Sequence, residues 1–188
     1  MTHQQAILRL KEGNKRYAAG TPQNTPVTAA LREDLFINGQ FPYAVIVGCS
    51  DSRTPVELVF DAGPGELFIV RTAGNVTGPL QMGSVEFAIT QLKAPLIVVL
   101  GHQQCGAVIA ATTSGNYSTS LQAVLNEIRA CAPDVIGSDP AVIEDANIKY
   151  VLSKIAVNPY VSKAIAEGQV CLIGAKYSLE TGIVSFFE

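Results

Sequence analysis

Tryptophan is absent from this 188-residue chain, and histidine and methionine each occur twice. Lysine and arginine form no cluster, and the formal net charge is -3. Nucleic acids and anionic membrane surfaces require a basic footprint that this chain lacks, so neither is expected as a partner. No apolar run approaches the roughly 20 residues of a membrane-spanning helix. The start, Met1-Thr2-His3-Gln4-Gln5, is polar and has neither the basic beginning nor the apolar stretch of a secretory signal. The expectation is a soluble, cytoplasmic protein. Four cysteines, Cys49, Cys105, Cys131 and Cys171, are too few to staple a chain of this length with disulfides. No two of them form C-x-x-C, which excludes a thioredoxin-like motif, and no G-x-G-x-x-G follows a strand pattern.

What is present is apolar: 48% of the residues are hydrophobic and only 15% charged. That suits a compact α/β core and leaves apolar surface for a subunit interface. The length fits a single domain over residues 1–188. Helical spacing of Ile7, Leu10, Asn14 and Tyr17 predicts a helix over 3–19, and Thr2 with Gln5 has the form of a capping box. A looser helix is expected over 26–37. Apolar runs predict strands at 42–48, 66–70, 96–101, 169–175 and 183–187. Between them, helices are expected over 79–92, 103–111, 119–131, 141–157 and 159–167, the last two separated by Asn158-Pro159. Strands alternating with helices predict a mainly parallel sheet flanked by helices, with an N-terminal helical arm. The short connection after residue 175 makes the last strand an antiparallel edge.

In such sheets ligands sit beyond the carboxyl ends of the strands. Two of those ends carry chemistry. Ala44-Val45-Ile46-Val47 runs into Gly48-Cys49-Ser50-Asp51-Ser52-Arg53, and Leu96-Ile97-Val98-Val99-Leu100 runs into Gly101-His102-Gln103-Gln104-Cys105-Gly106. In an extended backbone, residues two apart point the same way, so Cys49, Asp51 and Arg53 are expected to face one pocket. His102 and Cys105, three apart at the start of a helix, converge on one ion. Two thiolates and an imidazole suit tetrahedral zinc, with one position left over as in a catalytic site. Asp51 has two possible partners: it takes that position as a fourth ligand, or it pairs with the planar fork of Arg53 and accepts a hydrogen bond from a bound water. Cys131 and Cys171 read as structural. Gly74, in Thr72-Ala73-Gly74-Asn75, is expected to run close to another group.

C-x-D-x-R followed by H-x-x-C resembles the bacterial-type β-class carbonic anhydrase family. The likeness extends to Asn14-Lys15-Arg16-Tyr17, Arg71 to Asn75, Ser84 to Ala88 and Tyr177 to Gly182. It implies zinc ligands Cys49, His102 and Cys105, one ion per subunit, and an Asp51–Arg53 dyad. It implies attack of zinc-bound hydroxide on carbon dioxide to give bicarbonate. It further implies substrate-binding positions at Gln40, Phe68, Phe87 and Gly106, a homodimer or higher homo-oligomer with its site near the subunit interface, and an N-terminal helix packed on a partner. One subgroup of the family has a regulatory bicarbonate site made by tryptophan, arginine and tyrosine. Arg71 and Tyr177 match the last two, but Ile46 stands at the tryptophan position, which favours an open zinc site. Two other readings remain: a carbonyl sulfide or carbon disulfide hydrolase with the same constellation, and a catalytically silent zinc-binding protein.

Overall fold

A computed structural model of the chain describes residues 1–23 and 27–187. The helices are α1 (His3–Ala18), α2 (Ala29–Asn38), α3 (Val56–Val59), α4 (Pro79–Thr90), α5 (Gly106–Thr112), α6 (Thr119–Arg129), α7 (Pro140–Ala156) and α8 (Pro159–Ala166). The strands are β1 (Ala44–Cys49), β2 (Leu67–Thr72), β3 (Leu96–His102), β4 (Cys171–Tyr177) and β5 (Val184–Phe186). They form one sheet in the order β2-β1-β3-β4-β5. The first four are parallel, and β5 runs antiparallel to β4 after a turn closed by Ser178 N–H to Ile183 O.

The central strands are buried at every position because both faces of the sheet are covered. Successive side chains alternate between two cores. Val45, Val47, Ile97 and Val99 pack with Val85 and Ile89 of α4, Ile148, Val151 and Ile155 of α7, and Val161 of α8. Ala44, Ile46, Leu96, Val98 and Leu100 pack with Ala6 and Leu10 of α1 and with Val56 and Val59 of α3. A third cluster, Val76, Val108, Leu125, Ile128 and Ile143, sits around Cys49 and Cys105. The sheet therefore supplies a rigid edge and α5, α6 and α7 a dry wall behind it.

The inner face of α1 packs on the sheet of its own chain through Ala6 and Leu10. Thr2 and Gln5 form the expected capping box, and Asn14 anchors the inner face. Its amide donates to Val59 O at 3.1 Å and Gly182 O at 2.8 Å, and its Oδ1 accepts from Val184 N–H at 2.8 Å. Asn14→Ala would leave three backbone groups unpaired in a buried place. The expected loss of stability is about 3 kcal/mol, seen as a lower denaturant midpoint; an unchanged midpoint would remove the anchoring role.

Two short elements were not expected from the sequence. Pro55 stands at the N-cap position of the single turn α3, with no side-chain cap bond. Residues 73–75 form a 3-10 turn. The helix expected from Gln103 starts only at Gly106, because Gln104 takes a left-handed conformation (φ 51°) that no helix continues. In the second helix, expected over 26–37, residue 26 lies outside the described residues and the helix itself begins at Ala29.

Candidate metal centre

From β1 the chain crosses to β2 on one side and later to β3 on the other. The crevice between the carboxyl ends of β1 and β3 is the point where the winding reverses, the usual ligand position in open α/β sheets. Cys49 ends β1 and His102 ends β3. Cys105 is the residue before α5, delivered by the turn at Gln103-Gln104. One donor atom each from Cys49, His102 and Cys105 lies within 4.8 Å of the others, and all three residues are buried.

The two Sγ atoms are 3.9 Å apart. That is far beyond a disulfide bond and close to the ~3.8 Å edge of a tetrahedron with zinc–sulfur distances of about 2.3 Å. His102 Nδ1 lies 2.9 Å from Gln103 O, so Nδ1–H donates there and the lone pair is left on Nε2. Nε2 is buried and has no hydrogen-bond partner among the described residues. A buried imidazole lone pair with no donor, facing two thiols, fits a soft divalent cation such as zinc.

The sulfurs are not equivalent. The Cys105 hydrogen bond lowers the Cys49 thiol well below the ordinary thiol range, aided by His102 and by N–H groups of Asp51 and Gly74, while burial opposes. Those amides lie 3.4 Å and 3.2 Å from Cys49 Sγ. The same contact, with burial, pushes Cys105 well above the ordinary thiol range. Gly74 has φ 66°, and a Cβ there would stand 2.7 Å from Ile128 Cδ1. Only glycine lets this backbone come so near the sulfur, which is the close approach expected from the sequence.

Asp51 and Arg53 do meet, but not by strand alternation. β1 ends at Cys49, and Arg53 N–H donates to Asp51 Oδ1 at 2.9 Å, closing a local side-chain turn. Arg53 Nε and Nη2 then grip the two carboxylate oxygens at 2.9 Å and 2.7 Å. Arg53 holds the Asp51 carboxyl at about 2. The same guanidinium donates to Gln104 O at 3.1 Å, tying the first motif to the second. Asp51 Oδ2 stands 3.9 Å from His102 Nε2, beside the three donors but turned toward Arg53.

Arg71 has a task that the sequence did not disclose. Its Nε donates to Cys49 O and its Nη2 to Asp51 O, both at 2.7 Å, so it braces the turn from β2. Tyr177 contacts the Tyr17 hydroxyl at 3.1 Å, and Ile46 is fully buried in the sheet core. Gly106 follows Cys105 directly and its α-carbon faces open space. Gln40, Phe68 and Phe87 stand apart from this chain's own centre. Phe68 pairs with Val45, which at ~3.3 Å per residue is roughly 13 Å along β1 from Cys49. Phe87 packs on Phe68 with ring centroids 6.2 Å apart, and Gln40 is exposed before β1. Sequence reading also missed Glu144 of α7, whose Oε1 accepts from Cys105 N–H at 3.2 Å. Its only sequence signal was a carboxylate one turn before Ile148, on the buried stripe of a helix.

The carbonic anhydrase family model matches residues 44–184. Carbonic anhydrase 2 of Mycobacterium tuberculosis is 39% identical over 181 residues, covering 92% of this chain and 87% of its own. A carbonic anhydrase of Mycolicibacterium smegmatis is 36% identical over 183 residues, covering 93% and 88%. One of two tetrameric β-carbonic anhydrases from Sordaria macrospora superposes with TM-score 0.76 at 25% identity, over 85% of this chain and 88% of that one. With its donors, its sheet and its sequence in agreement, the chain belongs to the β-carbonic anhydrase family.

Proposed function

We propose that this chain catalyses the reversible hydration of carbon dioxide to bicarbonate and a proton, with zinc held by Cys49, His102 and Cys105. The observation that carries the reading is the pairing of a buried three-donor centre with a carboxylate held beside it by Arg53. Zinc at such donors supplies Lewis acidity that brings the ionisation of a water toward neutral pH.

The remaining chemistry belongs to the side chains. Arg53 takes both oxygens of Asp51 and so restrains the carboxylate from turning into the donor set. Held there and ionised, Asp51 accepts a hydrogen bond from the reacting water and aims its lone pair at the substrate. Arg71 fixes the backbone that carries both Cys49 and Asp51. Around the sulfurs, Val76, Val108 and Ile128 make an apolar wall suited to a small gas with little to hydrogen-bond. A cleft of about 890 Å³, lined by Arg53, Gln104, Glu144 and Tyr177 among others, opens the outer side of the dyad to buffer, which takes the released proton.

The working form is read as a homo-oligomer. Phe36, Ile37, Phe41 and Leu80 are exposed at 89%, 68%, 76% and 82%, more apolar surface than an isolated chain tolerates well. Gln40 precedes Phe41 in the chain and Phe87 is half-exposed on the same helix as Leu80, so their substrate contacts, with those of Phe68, are assigned to a neighbouring subunit's centre. No helix among the described residues is long and apolar enough to cross a membrane.

The test is stopped-flow hydration of carbon dioxide by zinc-loaded protein between about pH 6.5 and 9, the range in which zinc-bound water ionises. Activity rising smoothly through neutral pH is expected. Activity confined to the alkaline end would show Asp51 closing on the metal. Silence at every pH, with carbonyl sulfide hydrolysed instead, would overturn the assignment of substrate.

A further inference from the structure

One helix touches all three segments that carry the donors. Glu144, Asn147 and Ile148 lie on the same face of α7, at the spacing that brings side chains together on a helix. Glu144 Oε1 accepts from Cys105 N–H at 3.2 Å. Asn147 Nδ2 donates to Gly74 O at 2.8 Å, and Gly74 N–H in turn reaches Cys49 Sγ at 3.2 Å. Ile148 packs on β3 at Gly101, immediately before His102. A Cβ on Gly101 would stand 2.5 Å from Ile148 Cδ1, so the bare α-carbon sets how near α7 comes.

Glu144 is only 4% exposed, and a buried carboxylate needs a counter-charge. Lys176 supplies it at 2.9 Å from Oε2, while also reaching Asp145 at 2.7 Å. Lys176 stands opposite Gly101 in the β3–β4 register, beside the same ligand. Lys176 thus offsets the buried charge of Glu144, while the second carboxylate on it, Asp145, is half-exposed to solvent. The ion pair therefore offers Cys105 N–H a strong acceptor with a cation held against it.

We infer that α7 is a clamp on the metal centre, in which Glu144, neutralised by Lys176, and Asn147 are positioning residues that hold Cys105 and the Gly74 turn in ligating geometry. They touch no substrate. Their effect is on how tightly the donors are pre-arranged, and partners of this kind typically change metal affinity by roughly 10- to 100-fold. The inference rests on reading Cys49, His102 and Cys105 as one zinc site.

The experiment compares the unmodified protein with Glu144→Ala, Glu144→Gln and Asn147→Ala. Zinc affinity is measured by competition with a chromophoric chelator, and the visible spectrum is recorded after cobalt substitution. Failure of the unmodified protein to bind one zinc would overturn the site itself, whatever the variants do. Given that binding, Glu144→Ala and Asn147→Ala are each expected to weaken zinc roughly 10- to 100-fold and to move the cobalt bands. Glu144→Gln keeps an acceptor for Cys105 N–H and is expected to stay within a few-fold of the unmodified protein. Unchanged affinity and spectrum in both alanine variants would overturn the clamp, as would a Glu144→Gln defect equal to that of Glu144→Ala. Should Glu144→Ala fail to fold, Asn147→Ala carries the decision, because it removes no charge.

Discussion

His102→Ala is expected to release zinc and reduce carbon dioxide hydration to the uncatalysed background. Three protein donors are grouped to hold an ion, and among them His102 alone offers nitrogen. Apparent binding free energies for structural zinc of about 10–16 kcal/mol over four ligands make one ligand worth roughly 3 kcal/mol, more than a hundredfold in affinity. The loss should be specific to the metal. The imidazole is buried, but among the described residues its Nδ1 hydrogen bond goes to the adjacent Gln103 carbonyl. The variant should therefore fold, with near-normal circular dichroism, and lose metal on dialysis against a chelator. Metal analysis showing one zinc per chain after that treatment would remove His102 from the ligand set.

Asp51→Ala separates metal binding from chemistry. The carboxylate stands beside the donors but is held by Arg53 through two side-chain hydrogen bonds and one backbone bond. Zinc content should be unchanged, while hydration falls by roughly 10²- to 10⁴-fold, the usual range for a positioned proton acceptor. The pH behaviour has a definite sign. Arg53 lowers the Asp51 pKa to about 2, so the charge is lost only when pH falls through that value and is fully present from pH 6.5 to 9. The activity deficit should thus be uniform across that range, with no new inflection. Full activity would remove the dyad from the mechanism, and loss of zinc would make Asp51 a ligand.

The same residues show how far a linear reading reaches. The strands were legible because β1 and β3 are unbroken apolar runs, and the donors because cysteine and histidine stood at the ends of those runs. The meeting of Asp51 with Arg53 was legible too, although for another reason: a side-chain turn and a guanidinium fork close it, not an extended backbone. Arg71 was visible as a residue at a strand end but not as a brace, because its partners are backbone carbonyls, which every residue has. Asn14 was visible on the helical stripe of α1 but not as an anchor, because its three bonds go to residues far along the chain.

Local order and donor chemistry were thus written in the sequence, since burial periodicity and ligand type are properties of neighbouring residues. Strand order was not, and strand order makes the site: only the crossing to β2 on one side and β3 on the other sets Cys49 beside His102. Nor was the part played by Glu144. A lone carboxylate on a helix reads as solvated until packing removes the water, and it is the close approach of α7 to Gly101 that brings it to Cys105 and Lys176.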